Sequence, residues 1–123
     1  MDIFRKWVLL RDVSVAHLPK YGDCSAVYVL RDSRNGNILK FGCTGCLRKR
    51  IFVNYLSGFG GKELVSTTQR LHRELFVNNM IDHVELAWSE TIDRAEANRK
   101  ESELRVTYKK ANDDKRPIWD RNG

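Results

Sequence analysis

The sequence predicts an α/β domain of the α+β kind: a small three-stranded antiparallel sheet flanked by helices, in the order β-β-α-α-β-α. Three observations predict it. Two runs rich in Val, Tyr, Ile and Phe, at 26–30 and 38–41, flank a polar connection containing Asn35-Gly36. A third run, 82–88, sets Val84, Leu86 and Trp88 against Glu85 and Ala87. Three other segments carry apolar residues at helical spacing.

The elements follow in order. Residues 1–24 form a lead-in, of which 7–18 reads as a short strand or turn stopping at Pro19, and 21–25 as a loop. Residues 26–30 make a strand, 32–36 a turn in which Asn-Gly supplies positive φ cheaply, and 38–41 the return strand. A symmetric hairpin sets Tyr28 roughly opposite Lys40 with both side chains on one face. Residues 42–46 read as a loop. A helix over 47–56 aligns Leu47, Ile51 and Tyr55, and Gly58, Gly60 and Gly61 end it. Ser66 is the expected N-cap of a second helix whose apolar side is Leu71, Leu75 and Phe76. Thr91 is the expected cap of a third, running to about Lys110. The tail, 111–123, is polar and basic with Pro117 and Trp119 as anchors.

A chain of 123 residues with 41% hydrophobic content makes one compact domain, 1–123, with a modest core. Twenty-two Lys and Arg against 16 Asp and Glu give a formal charge of +6, which favours a polyanionic partner. An odd count of three cysteines argues against a secreted disulfide framework. The start, MDIFRKWVLLRD, breaks its apolar run with charges, so neither a secretory signal nor a membrane span is expected. A cytoplasmic, reducing setting follows as the expectation.

The last helix holds the sharpest anomaly. Ala97, Glu101, Leu104, Tyr108 and Ala111 recur at steps of four and three, so they form one stripe. Glu101 sits in the middle of that apolar stripe. An inward carboxylate costs several kcal/mol unless it is paired or binds a metal. Glu101 is therefore a metal ligand, the partner of Arg50 or Lys40 in an ion pair, or a solvated stripe edge. Tyr28 and Arg50 carry the same ambiguity: a core tyrosine or a catalytic one, a solvated member of the Arg48-Lys49-Arg50 run or a phosphate clamp.

Taken together, Tyr28, Lys40, Gly42, Arg50 and Glu101 resemble the GIY-YIG nuclease family. Ala26-Val27-Tyr28 is similar to the first signature triplet and Lys40-Phe41-Gly42 to the second. The run from Gly42 through Thr44 and Leu47 to Arg50 follows the family's loop and helix, and Glu101 with Leu104 and Tyr108 resembles its metal-binding helix. The likeness covers roughly 19–120. Lys40 departs from the family's second tyrosine, as in some of its restriction enzymes. Asn54 or Tyr55 stands where many members have histidine or tyrosine. Asp120 or Asn122 stands in for the asparagine that often ends the family's site.

The resemblance implies a DNA endonuclease. Tyr28 would serve as general base, its pKa lowered by Lys40, and Lys40 could also hold the nucleophile. Arg50 would clamp the non-bridging phosphate oxygens. Glu101 would hold one Mg²⁺ or Mn²⁺. The same fold stripped of chemistry would be a nucleic-acid-binding module. Arg48, Lys49, Lys62, Arg70, Arg73, Lys115 and Arg116, with Arg121, are candidates for backbone-phosphate contacts. No separate recognition domain is visible, so target choice would fall to the domain itself, a homo-oligomer or a partner protein.

Cys43-Thr44-Gly45-Cys46 is a CxxC, yet only Cys24, His17, His72 and His83 remain as further zinc ligands, and none forms a second pair at ligand spacing. It reads as a tight loop. His72, between Arg70 and Arg73, reads as solvated or DNA-facing.

Overall fold

The computed structural model describes residues 3–4, 6–18, 25–57 and 67–120. The strands are β1 (Val8–Leu9), β2 (Ala26–Asp32), β3 (Ile38–Thr44) and β4 (Val84–Glu90), all antiparallel in the order β1-β4-β2-β3. A π-helix, Lys49–Leu56, follows β3; α1 is Thr67–Phe76 and α2 is Arg94–Ala111. The α+β class stands. The sheet has four strands instead of three, because the lead-in supplies β1, which pairs Val8 with Leu86 and Leu9 with Glu85. Two short 3-10 turns, at Leu10–Asp12 and Val15–His17, also precede the hairpin, and a third, Ile81–His83, leads into β4. A two-residue strand is too short to show the alternation that marks longer ones.

β2 is, with β4, one of the two inner strands and is buried on both faces. Its even residues Ala26, Tyr28 and Leu30 join Leu86, Ile51, Tyr55, Leu71 and Leu75 in the larger core. Its odd residues Val27 and Val29 join Phe41 and Ala87 in a smaller one, closed by Leu104 and Tyr108 of α2. The π-helix and α1 thus cover one face and α2 the other. Ala97 is fully buried, whereas Ala111, expected on the same stripe, is exposed. Phe76 is also exposed, stacked on His72 at 4.8 Å between ring centroids.

The hairpin turn adopts the expected chemistry: Gly36 has φ +75°, and its N–H bonds to the Asp32 carbonyl at 2.8 Å. The register differs from a symmetric closure. Leu30 pairs with Lys40 and Arg31 with Ile38, so Leu39 is an extra residue bulged from the edge strand. Tyr28 therefore lies across from Gly42, and Lys40 is its diagonal neighbour on the same face. β3 runs on to Thr44, so 42–44 is strand where a loop was expected. Asp93, not Thr91, caps α2: its Oδ1 accepts the Glu96 N–H at 2.9 Å while Glu96 Oε1 accepts the Ile92 N–H at 3.1 Å. A reciprocal Asp-x-x-Glu pair outcompetes a lone threonine hydroxyl there.

Pro117 and Trp119 are buried as expected, and the Trp119 N–H bonds to the Leu39 carbonyl at 2.8 Å, laying the tail along the open edge of β3. Ser66, Gly58, Gly60 and Gly61, read as helix punctuation, fall outside the described residues, as do Cys24, Lys62, Arg121 and Asn122. No helix among the described residues is long and apolar enough to cross a membrane.

Candidate active site

Tyr28 reaches across β3 at the one position that has no side chain to stop it. A Cβ on Gly42 would overlap the Tyr28 phenol ring, so this glycine is required by close approach. The Tyr28 hydroxyl meets the Tyr55 hydroxyl at 2.5 Å, with the rings edge-on at 6.2 Å, and both residues are essentially sealed from solvent. Tyr55 comes from the π-helix, whose Ser57 N–H bonds back five residues to Phe52. Hydrogen bonding over five residues brings Arg50 and Tyr55 to one side of the helix, which an α-helix would not do. The expected helix over 47–56 is present, with Lys49–Leu56 wound as a π-helix. Such π segments recur at functional positions.

Burial pushes the Tyr28 pKa well above its ordinary 10, the neighbouring Tyr55 pushes the same way, and Arg50 opposes. Burial likewise raises Tyr55 against Arg50. The expectation that Lys40 would depress Tyr28 is overturned: the opposing cation is Arg50, and desolvation prevails. Arg50 Nε is buried and, among the described residues, finds no hydrogen-bond acceptor.

A second cluster lies at the open edge of β3. Arg105 donates through Nη1 to Glu101 Oε1 at 2.8 Å, through Nε to Asp120 Oδ2 at 2.8 Å, and through Nη2 to the Phe41 carbonyl at 3.4 Å. Glu101 is thus inward, as its stripe position required, but its ion-pair partner is Arg105, neither Arg50 nor Lys40. Lys40 Nζ stands 4.0 Å from Asp120 Oδ1, too far for a hydrogen bond, so that buried oxygen has no donor among the described residues. Burial lowers the Lys40 pKa, and Arg105 and Arg70 lower it further, while Asp120 and Glu101 hold it up.

Cys43 joins the two clusters. Its thiol donates to Asn98 Oδ1 at 2.7 Å. Burial and then the Glu101 carboxylate push its pKa up to about 11, with Arg94 opposing. Cys43 lies in β3 and not in the expected tight loop; Cys43 and Cys46 are free thiols, and the Thr44 hydroxyl braces the turn after the strand by bonding the Cys46 N–H and carbonyl. Beside it opens a pocket of about 240 Å³ walled by Lys49, Arg50, Asn54 and Arg94.

Tyr28, Lys40, Arg50 and Glu101 therefore stand in one electrostatic neighbourhood. The basic residues expected on phosphates divide. Lys49 and Arg73 are exposed. Arg48 is tied to the Leu18 carbonyl at 3.3 Å, and Arg70 Nη2 donates to the Trp119 carbonyl, so both brace the chain. Lys115 and Arg116 line a separate cavity, of about 750 Å³, between α2 and the hairpin turn. His72 is half-buried, with Nδ1 at 2.9 Å from the Tyr55 carbonyl.

Arg105 and Arg94 belong to the site without having been singled out. Arg105 had a readable signal, a base four residues after an acid on one helix. Arg94 had none, since only tertiary folding brings the start of α2 to the turn at 44–46.

Comparison with protein families, curated proteins and solved structures finds no match to this chain.

Proposed function

We propose that this chain is an endonuclease that hydrolyses DNA phosphodiester bonds with the help of one divalent ion, Mg²⁺ or Mn²⁺. The observation that carries this reading is the Arg50 Nε–H, buried without an acceptor among the described residues, beside a cation-walled pocket and next to the Tyr28–Tyr55 pair. An uncommitted guanidinium donor suits a phosphate oxygen.

Glu101 would hold the ion. Mg²⁺ asks for one or two carboxylates and keeps its waters, which fits Glu101 and the donor-less Asp120 oxygen on the same network. When bound, the ion supplies charge neutralisation at the leaving oxygen.

The residues divide the remaining work. Arg50 binds the non-bridging oxygens as charge builds on them. Lys40 would hold the attacking water, and burial, which lowers its pKa, favours it as the acceptor of that water's proton. Tyr28 stays protonated and acts as a hydroxyl donor, not as the base. The free thiols of Cys43 and Cys46 fit a reducing, cytoplasmic setting.

A supercoiled-plasmid nicking assay tests the proposal. With Mg²⁺ the protein nicks; with EDTA, or as Arg50→Ala or Glu101→Ala, it does not. Full activity in Glu101→Ala ends the mechanism. A second reading, a DNA-binding module without chemistry, draws on Arg105 already occupying Glu101. It predicts salt-sensitive plasmid binding with no nick under any metal condition.

A further inference from the structure

Among the described residues, the pocket at the head of the π-helix has three cationic walls and no acidic one. Lys49 and Arg50 come from the π-helix, and Arg94 comes from the first position of α2. Arg94 passes over Gly45, where an added Cβ would lie 3.6 Å from its Cδ. The positive end of an 18-residue helix adds to the same field. At about 240 Å³ the pocket has room for about eight waters, more than one phosphate group needs. Three positive side chains line one pocket, and Arg50 Nε is a buried donor with no acceptor among the described residues.

We propose that this pocket is a phosphate subsite, in which Arg94 completes a three-sided grip with Lys49 and Arg50. It rests on the nuclease reading only in taking a DNA strand as the source of the phosphate. Arg94 is a binding residue here, with no part in proton transfer.

The test is ¹H–¹⁵N NMR of the arginine Nε–Hε signals in the full chain, in EDTA, titrated first with inorganic phosphate and then with a short DNA duplex. Chloride at matched ionic strength is the reference. The Arg50 and Arg94 signals should shift together with phosphate and saturate, and Arg94→Gln should weaken that titration about tenfold, a loss of about 1.4 kcal/mol. In the DNA arm, Arg94→Gln should reduce the salt dependence of binding by about one counterion. Signals that ignore phosphate, or that move equally with chloride, overturn the subsite. So does an Arg94→Gln titration unchanged from wild type. Phosphate binding that needs Arg94 while DNA binding does not would assign the subsite to free phosphate. Phosphate shifts without plasmid nicking would keep the subsite and remove the nuclease; nicking without shifts would do the reverse.

Discussion

Two polar clusters sit within one small sheet, and they are held by different physics. Tyr28 and Tyr55 lie inside the larger core, neutral, joined by a single hydroxyl contact and by packing. Glu101, Arg105, Asp120 and Lys40 lie at the open edge of β3, charged, and joined by ion pairs that tie α2, the edge strand and the tail together. In the first cluster burial suppresses ionisation. In the second, burial is tolerable only because each charge has a partner. Arg50 and Cys43 stand between them, which is why chemistry is expected at the seam.

The largest test breaks the charged cluster. Arg105→Ala leaves Asp120, 1% exposed, with only the distant Lys40, and should destabilise the protein by about 4 kcal/mol in urea unfolding. The Arg105→Gln/Asp120→Asn pair should recover part of that loss. A loss below about 1 kcal/mol would mean that the network is solvated and the contrast false.

Packing in the neutral cluster comes next. Gly42→Ala drives a methyl into the Tyr28 ring and should cost about 3 kcal/mol, with Gly42→Ser at least as harmful. An unchanged melting temperature would show that Tyr28 can swing aside.

Tyr55→Phe is gentler, about 1 kcal/mol, because it removes one hydroxyl and strands another. It also sharpens the comparison through pH. Tyr55 raises the Tyr28 pKa, so the variant should show Tyr28 ionising earlier in an ultraviolet phenolate titration. A phenol whose folded pKa is raised contributes stability that is complete below its ordinary 10 and is lost as pH climbs above it. Alkaline unfolding should therefore begin above pH 10 in the wild type.

The smallest effect lies away from both clusters, at the turn. Arg34 grips Asp32 at 2.9 and 3.0 Å and holds its carboxyl below the ordinary 3.8. That stability is present above 3.8 and fades as pH falls through the lowered value. Arg34→Gln should lower the neutral-pH melting temperature slightly, and that difference should vanish in acid as pH falls through the lowered value.

Much of the fold was legible in the residues. Valine-rich runs around Asn35-Gly36 marked the hairpin, and the stripe of Ala97, Leu104 and Tyr108 marked the face of α2 that meets the sheet. The register was not, because a bulge at Leu39 depends on how Trp119 and the tail close the edge. Nor was the π-helix, since its extra residue per turn leaves no periodic trace in eight positions. In the site, Glu101 announced itself as a carboxylate among apolar neighbours. Its partner was misassigned because a pairing choice among Arg50, Lys40 and Arg105 depends on side-chain reach.

The order of residues by itself determined the α+β class, the hairpin, the inward carboxylate and the positive charge, because each is a local pattern or a sum over composition. Only the tertiary structure decided that Tyr28 faces Gly42 and Tyr55, that Arg105 takes Glu101 and Asp120, and that Arg94 lines one pocket with Arg50. Those contacts join segments distant in the chain, and their energies depend on burial, which no short window of sequence contains.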